Sequence, residues 1–170
     1  EQYLNAGYQR LLTFERPGGG FDWWGSGAPP VWLSAYGLQE FNDMPRVWPI
    51  DRGIIHRTQA IPLTTMDINV TRSNIRATHG ETIERVGNTN LLLTSYVTWS
   101  LLESNFDKKR LEPSIAYIRT HLNDAGDNAY ILALAANALA TFRSYGSTAP
   151  AEVERQLAAW KERLAGPDAG

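Results

Sequence analysis

Few residues in this chain combine types and spacing that could do chemistry. The most suggestive are His79 and Glu81, separated by Gly80. A neutral imidazole is nucleophilic near pH 7, and a nearby carboxylate can orient it. The plainer reading is a polar loop that caps the helix after it. His56 and His121 fall near predicted helix ends, where a solvated or dipole-facing histidine is ordinary. There is no cysteine, which removes disulfides, thiolate nucleophiles and Cys-ligated metal from these residues. The aspartates Asp22, Asp43, Asp51, Asp67, Asp107, Asp124 and Asp127 are scattered rather than clustered.

Helices must position these groups. Tyr3–Glu15 carries Leu4, Tyr8, Leu11 and Leu12 at helical spacing and meets a Pro17-Gly18 breaker. A second helix is expected over Val31–Phe41, after Pro29-Pro30, and a third from Asp51 past Ile54, Ile55 and Thr58. Leu91–Glu103 is apolar nearly all round and reads as a buried helix. Leu111, Ile115, Ile118 and Leu122 mark another, and Asp127 is a candidate N-cap for Asn128–Phe142. Val153, Leu157, Trp160 and Leu164 predict a last helix, stopped by Gly166-Pro167. The expected fold is all-α, a single domain over residues 1–170.

The helices echo one another. Leu33-Ser34-Ala35-Tyr36 recurs as Leu93-Thr94-Ser95-Tyr96, and more faintly as Leu132-Ala133-Leu134-Ala135. Small residues beside each leucine allow close helix approach. Repeated hairpins of this kind stack as a solenoid or close as a ring. Between the first two helices lies "RPGGGFDWWG", residues 16–25. Gly19 and Gly20 permit a tight positive-φ path, and Phe21, Trp23 and Trp24 are expected to plug the gap between helices as buried rings. A ligand-binding aromatic box is the alternative.

Composition narrows the function. The 170 residues hold 16 basic and 18 acidic side chains, well mixed, for a net charge of −2. No basic stripe suits nucleic acid. No run reaches the ~20 apolar residues of a membrane span, and no signal peptide opens the segment.

The blocks "YLNAGYQRLLTF", "GGGFDWWG", "WLSAYGLQEFNDM", "HGETIERVGNTNLLLTSYVTWSLLES" and "DNAYILALAANAL" resemble the thioester-containing domain of bacterial alpha-2-macroglobulin-like proteins. The similarity covers about Tyr3 to Phe142. It implies an α/α toroid of helical hairpins, here expected to be incomplete. It also implies a place within a large extracellular or periplasmic endopeptidase inhibitor. The partners implied are target proteases and the other domains of the parent protein; possible self-association is a further expectation. No cofactor and no resident metal are implied.

Two departures from the family pattern stand out. Its Cys-x-Glu-Gln motif, whose Cys and Gln side chains form the thioester, is missing; Glu1-Gln2 lies too close to the Gly-Tyr-Gln block to be its remnant. Residues 60–77, "AIPLTTMDINVTRSNIRAT" with the flanking threonine, replace an expected helix and Asp-Gly-x-Trp turn, and Pro62 is expected to end the third helix. By resemblance, His79 falls where complement-type domains place the histidine that accepts the acyl group, with Glu81 beside it. The chain is therefore expected to be a fragment or thioester-less form, non-enzymatic, acting as a structural or binding domain. The alternatives are an α/α-toroid enzyme of the terpenoid cyclase or prenyltransferase type, or a plain helical binding module.

Overall fold

The computed structural model describes residues 2–27, 29–64 and 89–144. They form six α-helices: α1 Gln2–Leu12, α2 Val31–Asp43, α3 Gly53–Thr64, α4 Thr89–Glu103, α5 Glu112–His121 and α6 Ala129–Ser144. Short 3₁₀ turns at Met44–Arg46, Lys108–Leu111 and Leu122–Ala125 join them. Among the described residues the extended pairing is one isolated bridge, Glu15 with Phe21. The fold is all-α. His79, Glu81, residues 65–77 and the helix expected over Val153–Leu164 lie outside the described residues.

The apolar stretch of α4 is central because its side chains are buried on every side. Leu91, Leu93, Val97, Leu101 and Leu102 all contribute to the main core, with Leu38 of α2, Ile115 and Ile118 of α5, and Ile131, Leu134 and Leu139 of α6. Helix α4 packs against α2 on one flank and α6 on the other. Fully buried small residues permit the approach: Ser34 and Ala35 on α2, Ser95 on α4, Ala135 and Ala138 on α6.

The side-chain register fixes the direction of these helices. Near their C-terminal ends, Asn42 Nδ2 donates to the Glu103 carbonyl at 3.1 Å, and the Thr141 hydroxyl to the Glu103 carboxylate at 3.2 Å. Those bonds bring the C-terminal ends of the three helices together, while α4 packs along both of its neighbours. Helices α2, α4 and α6 therefore run parallel, and α3 and α5 return the chain between them. Parallel inner helices joined by returning ones are the layering of an α/α toroid. The amide of Gln59, buried on α3, ties α3 to the end of α4 by donating to the Ser104 carbonyl (2.8 Å) and hydroxyl (3.1 Å).

Two helix ends differ from expectation. Asn128, not Asp127, caps α6: its Oδ1 accepts from the backbone N–H of Tyr130 (3.1 Å) and Ile131 (3.2 Å). The helix begins at Ala129, so only the residue before it can reach the second and third amides. Pro62 does not end α3, which runs to Thr64. Proline forfeits the N–H bond to the carbonyl four residues back, and the helix continues only two residues beyond it. Helix α1 buries none of its residues, leaving Tyr3, Leu4 and Leu11 exposed.

Candidate functional site

The chain leaves α1 through consecutive bends and turns back at three glycines with φ of +90°, +103° and +78° at Gly18, Gly19 and Gly20. The loop closes on itself: Gly19 N donates to Arg16 O and Arg16 N to Gly20 O, both at 2.8 Å. Close approach adds a second demand for glycine. A Cβ on Gly19 would collide with the backbone carbonyl of Arg57, and one on Gly20 would stand 2.7 Å from Ile61 Cδ1 and 2.8 Å from Ser34 Oγ. The turn is thus pressed onto α3 and the start of α2. Arg57 holds the same junction from outside, with Nε 2.8 Å from a Glu15 carboxylate oxygen and Nη2 3.4 Å from Asp51.

The three aromatics of the turn separate sharply. Phe21 is buried: its N–H donates to Ser34 Oγ at 3.1 Å, and its ring stacks on Phe41. Trp23 is 50% exposed and leans on Trp32 at 5.5 Å between ring centroids, while Trp24 is 86% exposed. The expectation that both indoles plug the core is therefore corrected; Phe21 alone does so.

Asp22 explains the difference. Its carboxylate, buried within the loop, accepts from the backbone N–H groups of Gly27 (2.8 Å), Ser26 (3.0 Å) and Trp24 (3.3 Å). Its own N–H donates to Phe14 O at 3.0 Å. The Arg16 guanidinium donates to the Gly25 carbonyl. Residues 22–27 are wound around the carboxylate with their amides inward, and the Trp24 indole is left outward. Hydrogen bonds from Gly27, Ser26, Trp24 and Trp23, that from Gly27 strongest, hold the Asp22 carboxyl below its ordinary value against the opposing effect of burial. The sequence signal was an aspartate three residues ahead of the Gly25-Ser26-Gly27 run, a side chain suited to gather amides in a turn.

No acid–base pair emerges around the described histidines. His56 is exposed on α3. His121 stacks on Tyr117 with centroids 4.0 Å apart, and its Nδ1 lies 2.9 Å from the Tyr117 carbonyl. Among the described residues no group of three His, Asp or Glu side chains is gathered to hold a metal ion. Nor is any helix there long and apolar enough to cross a membrane. The described geometry is an amide-wrapped Asp22 carboxylate with the Trp24 indole in solvent.

Comparison with known proteins gives one family match. The profile described as the A-macroglobulin TED domain matches residues 1–163. No solved structure matches the chain.

Proposed function

Because the chain belongs to the A-macroglobulin TED domain family, we propose that it is a thioester-less segment of a macroglobulin-type endopeptidase inhibitor. Its work is non-covalent docking within a larger extracellular or periplasmic protein. The observation that carries this reading is the family match combined with a sequence of 170 residues without cysteine. Covalent trapping by such a domain needs an electrophilic acyl group, and its source in the family is a Cys–Gln thioester. His79, even with Glu81 to orient it, has no thioester within these residues to attack.

The test is direct. The protein is incubated with labelled methylamine or an active protease, then denatured and weighed by mass spectrometry. No adduct is expected; a stable adduct would overturn the non-covalent reading. If a preceding Cys-x-Glu-Gln segment is supplied, amine incorporation should appear. His79→Ala should then slow transfer to hydroxyl acceptors more than transfer to amines, because an acyl-imidazole chiefly aids the weaker nucleophile.

The plain binding-module reading gains support from Trp24, whose exposed indole is the residue type most often found at the energetic centre of protein interfaces. The exposed apolar side of α1 supports self-association of the isolated chain. Sedimentation should show a concentration-dependent rise in mass, and a monomer at all concentrations would remove that part of the reading.

A further inference from the structure

Helix α1 carries a glycine for which the fold of the described residues has no use. Gly7 is exposed inside the helix, keeps ordinary helical backbone, and a Cβ there would meet nothing within 4 Å. Glycine is nevertheless the least favourable residue after proline in a helix interior. Gly19 and Gly20 answer to close contacts within the chain; Gly7 answers to none.

The residues around Gly7 form a stripe. With 3.6 residues per turn, Tyr3, Leu4, Gly7 and Leu11 share one side of α1. Tyr3 is 92% exposed, Leu4 49% and Leu11 38%. Tyr8 and Leu12, on the adjoining side, are the residues that pack partly on the smaller core. Arg10 is the single charge on the helix, so the stripe offers little to a charged ligand.

The stripe is its own complement. Leu4 and Leu11 stand symmetrically about the point midway between Gly7 and Tyr8. Two copies of α1 laid antiparallel across that point set each Leu4 against Leu11 of the second copy. They also bring the two Gly7 backbones together, where the missing side chains let the helix axes close to about 8 Å. Such a pair is closed by a two-fold axis, the commonest symmetry of soluble oligomers.

The loop after α1 enlarges the contact. Gly25 lies against the Thr13 carbonyl, and the Asp22 N–H donates to Phe14 O. Trp24 is thereby held beside the C-terminal end of α1, the end at which an antiparallel second copy brings its own Tyr3. An aromatic side chain can bury about 150–250 Å², so Tyr3, Trp24 and the two leucines together offer about 500 Å² per copy. A pair removes about 1,000 Å² from water, the lower limit for a specific interface. That area suits a reversible dimer rather than a permanent one.

We infer that Tyr3, Leu4, Gly7 and Leu11 of α1 seat a second copy of this chain, antiparallel about a two-fold axis beside Gly7. This seat rests on the self-association proposed above, to which it adds a surface, a register and a role for Gly7.

The full chain has no cysteine, so introduced thiols report the register without interference. Mild oxidation of a mixture of Leu4→Cys and Leu11→Cys chains should give disulfide-linked dimers, and either variant alone should give few. Sedimentation equilibrium measures the dimer directly. Leu11→Glu should weaken it at least tenfold, because pairing would bury an unpaired carboxylate. Gly7→Ala should raise the melting temperature of the dilute monomer and yet weaken the dimer severalfold, a combination that a merely structural glycine would not give. Val47→Ser, which removes a 70% exposed apolar side chain outside α1, should leave the dimer unchanged. A monomer at all concentrations would overturn the seat together with self-association itself. Association that survives Leu11→Glu and Gly7→Ala, falls equally with Val47→Ser, or gives no mixed disulfide would leave self-association standing and overturn the seat on α1.

Discussion

The ring of Phe21 lies face to face on that of Phe41, with centroids 5.1 Å apart and planes 9° from parallel. The edge of the same ring occupies the space where Gly37 of α2 would carry a Cβ. An alanine inside a helix normally gains about 1 kcal/mol over glycine. Here the added methyl must displace a stacked, buried ring, at about 1–3 kcal/mol. Gly37→Ala is expected to lower stability by about 1–2 kcal/mol in urea denaturation. Adding Phe21→Leu should cancel much of that loss by making room.

Phe21 and Trp24 are neighbours of opposite consequence. Phe21→Ala removes a buried ring and should cost about 3–5 kcal/mol. Trp24→Ala removes an indole already in water and should change stability by less than about 0.5 kcal/mol. Denaturation of the two variants side by side settles the assignment. A large loss for Trp24→Ala would restore that indole to the core.

Asp22 gives the fold an acid dependence of known sign. Its pKa is lowered on folding from 3.8, so its contribution is complete above that value and disappears as pH falls through the folded pKa. Hydrogen bonds to a charged group are worth about 1.5–3 kcal/mol. Asp22→Asn should lower stability by about that amount from pH 5 to 8. The gap between variant and parent should close progressively below about pH 4, as followed by urea melts across the range.

Thr98 poses the reverse case. It is fully buried on α4, and its hydroxyl has no hydrogen-bond partner among the described residues. An unsatisfied hydroxyl costs about 1–3 kcal/mol to bury. Thr98→Val should therefore raise stability by about 1 kcal/mol in chemical denaturation. A loss of that size would overturn this reading of the hydroxyl.

How far the sequence alone reaches is visible in these same residues. Leu91–Glu103 was legible as a buried helix because its apolar residues leave no polar face, and burial of Leu91, Val97 and Leu101 follows. The repeat Leu-Ser-Ala-Tyr and Leu-Thr-Ser-Tyr located two helices that do pack together. The turn glycines were legible from conformational need alone. Direction was not legible. Phe21 and Trp24 are both large and apolar, and what separates them is the winding of six residues about the Asp22 carboxylate. The cap at Asn128 shows the same limit: Asp127 and Asn128 have equal capping chemistry, and one residue of register decides between them.

Helix α1 has no buried residue, and among its side chains only Tyr8 and Leu12 are packed, partly, against the smaller core. Opening it exposes little new apolar surface, so its backbone amides should trade hydrogen for deuterium through local fraying at little free-energy cost. The amides of α4, enclosed on both flanks, have no such route and should exchange only when the whole domain unfolds. The protection pattern would then step upward at Phe21, where the chain first commits a ring to the interior.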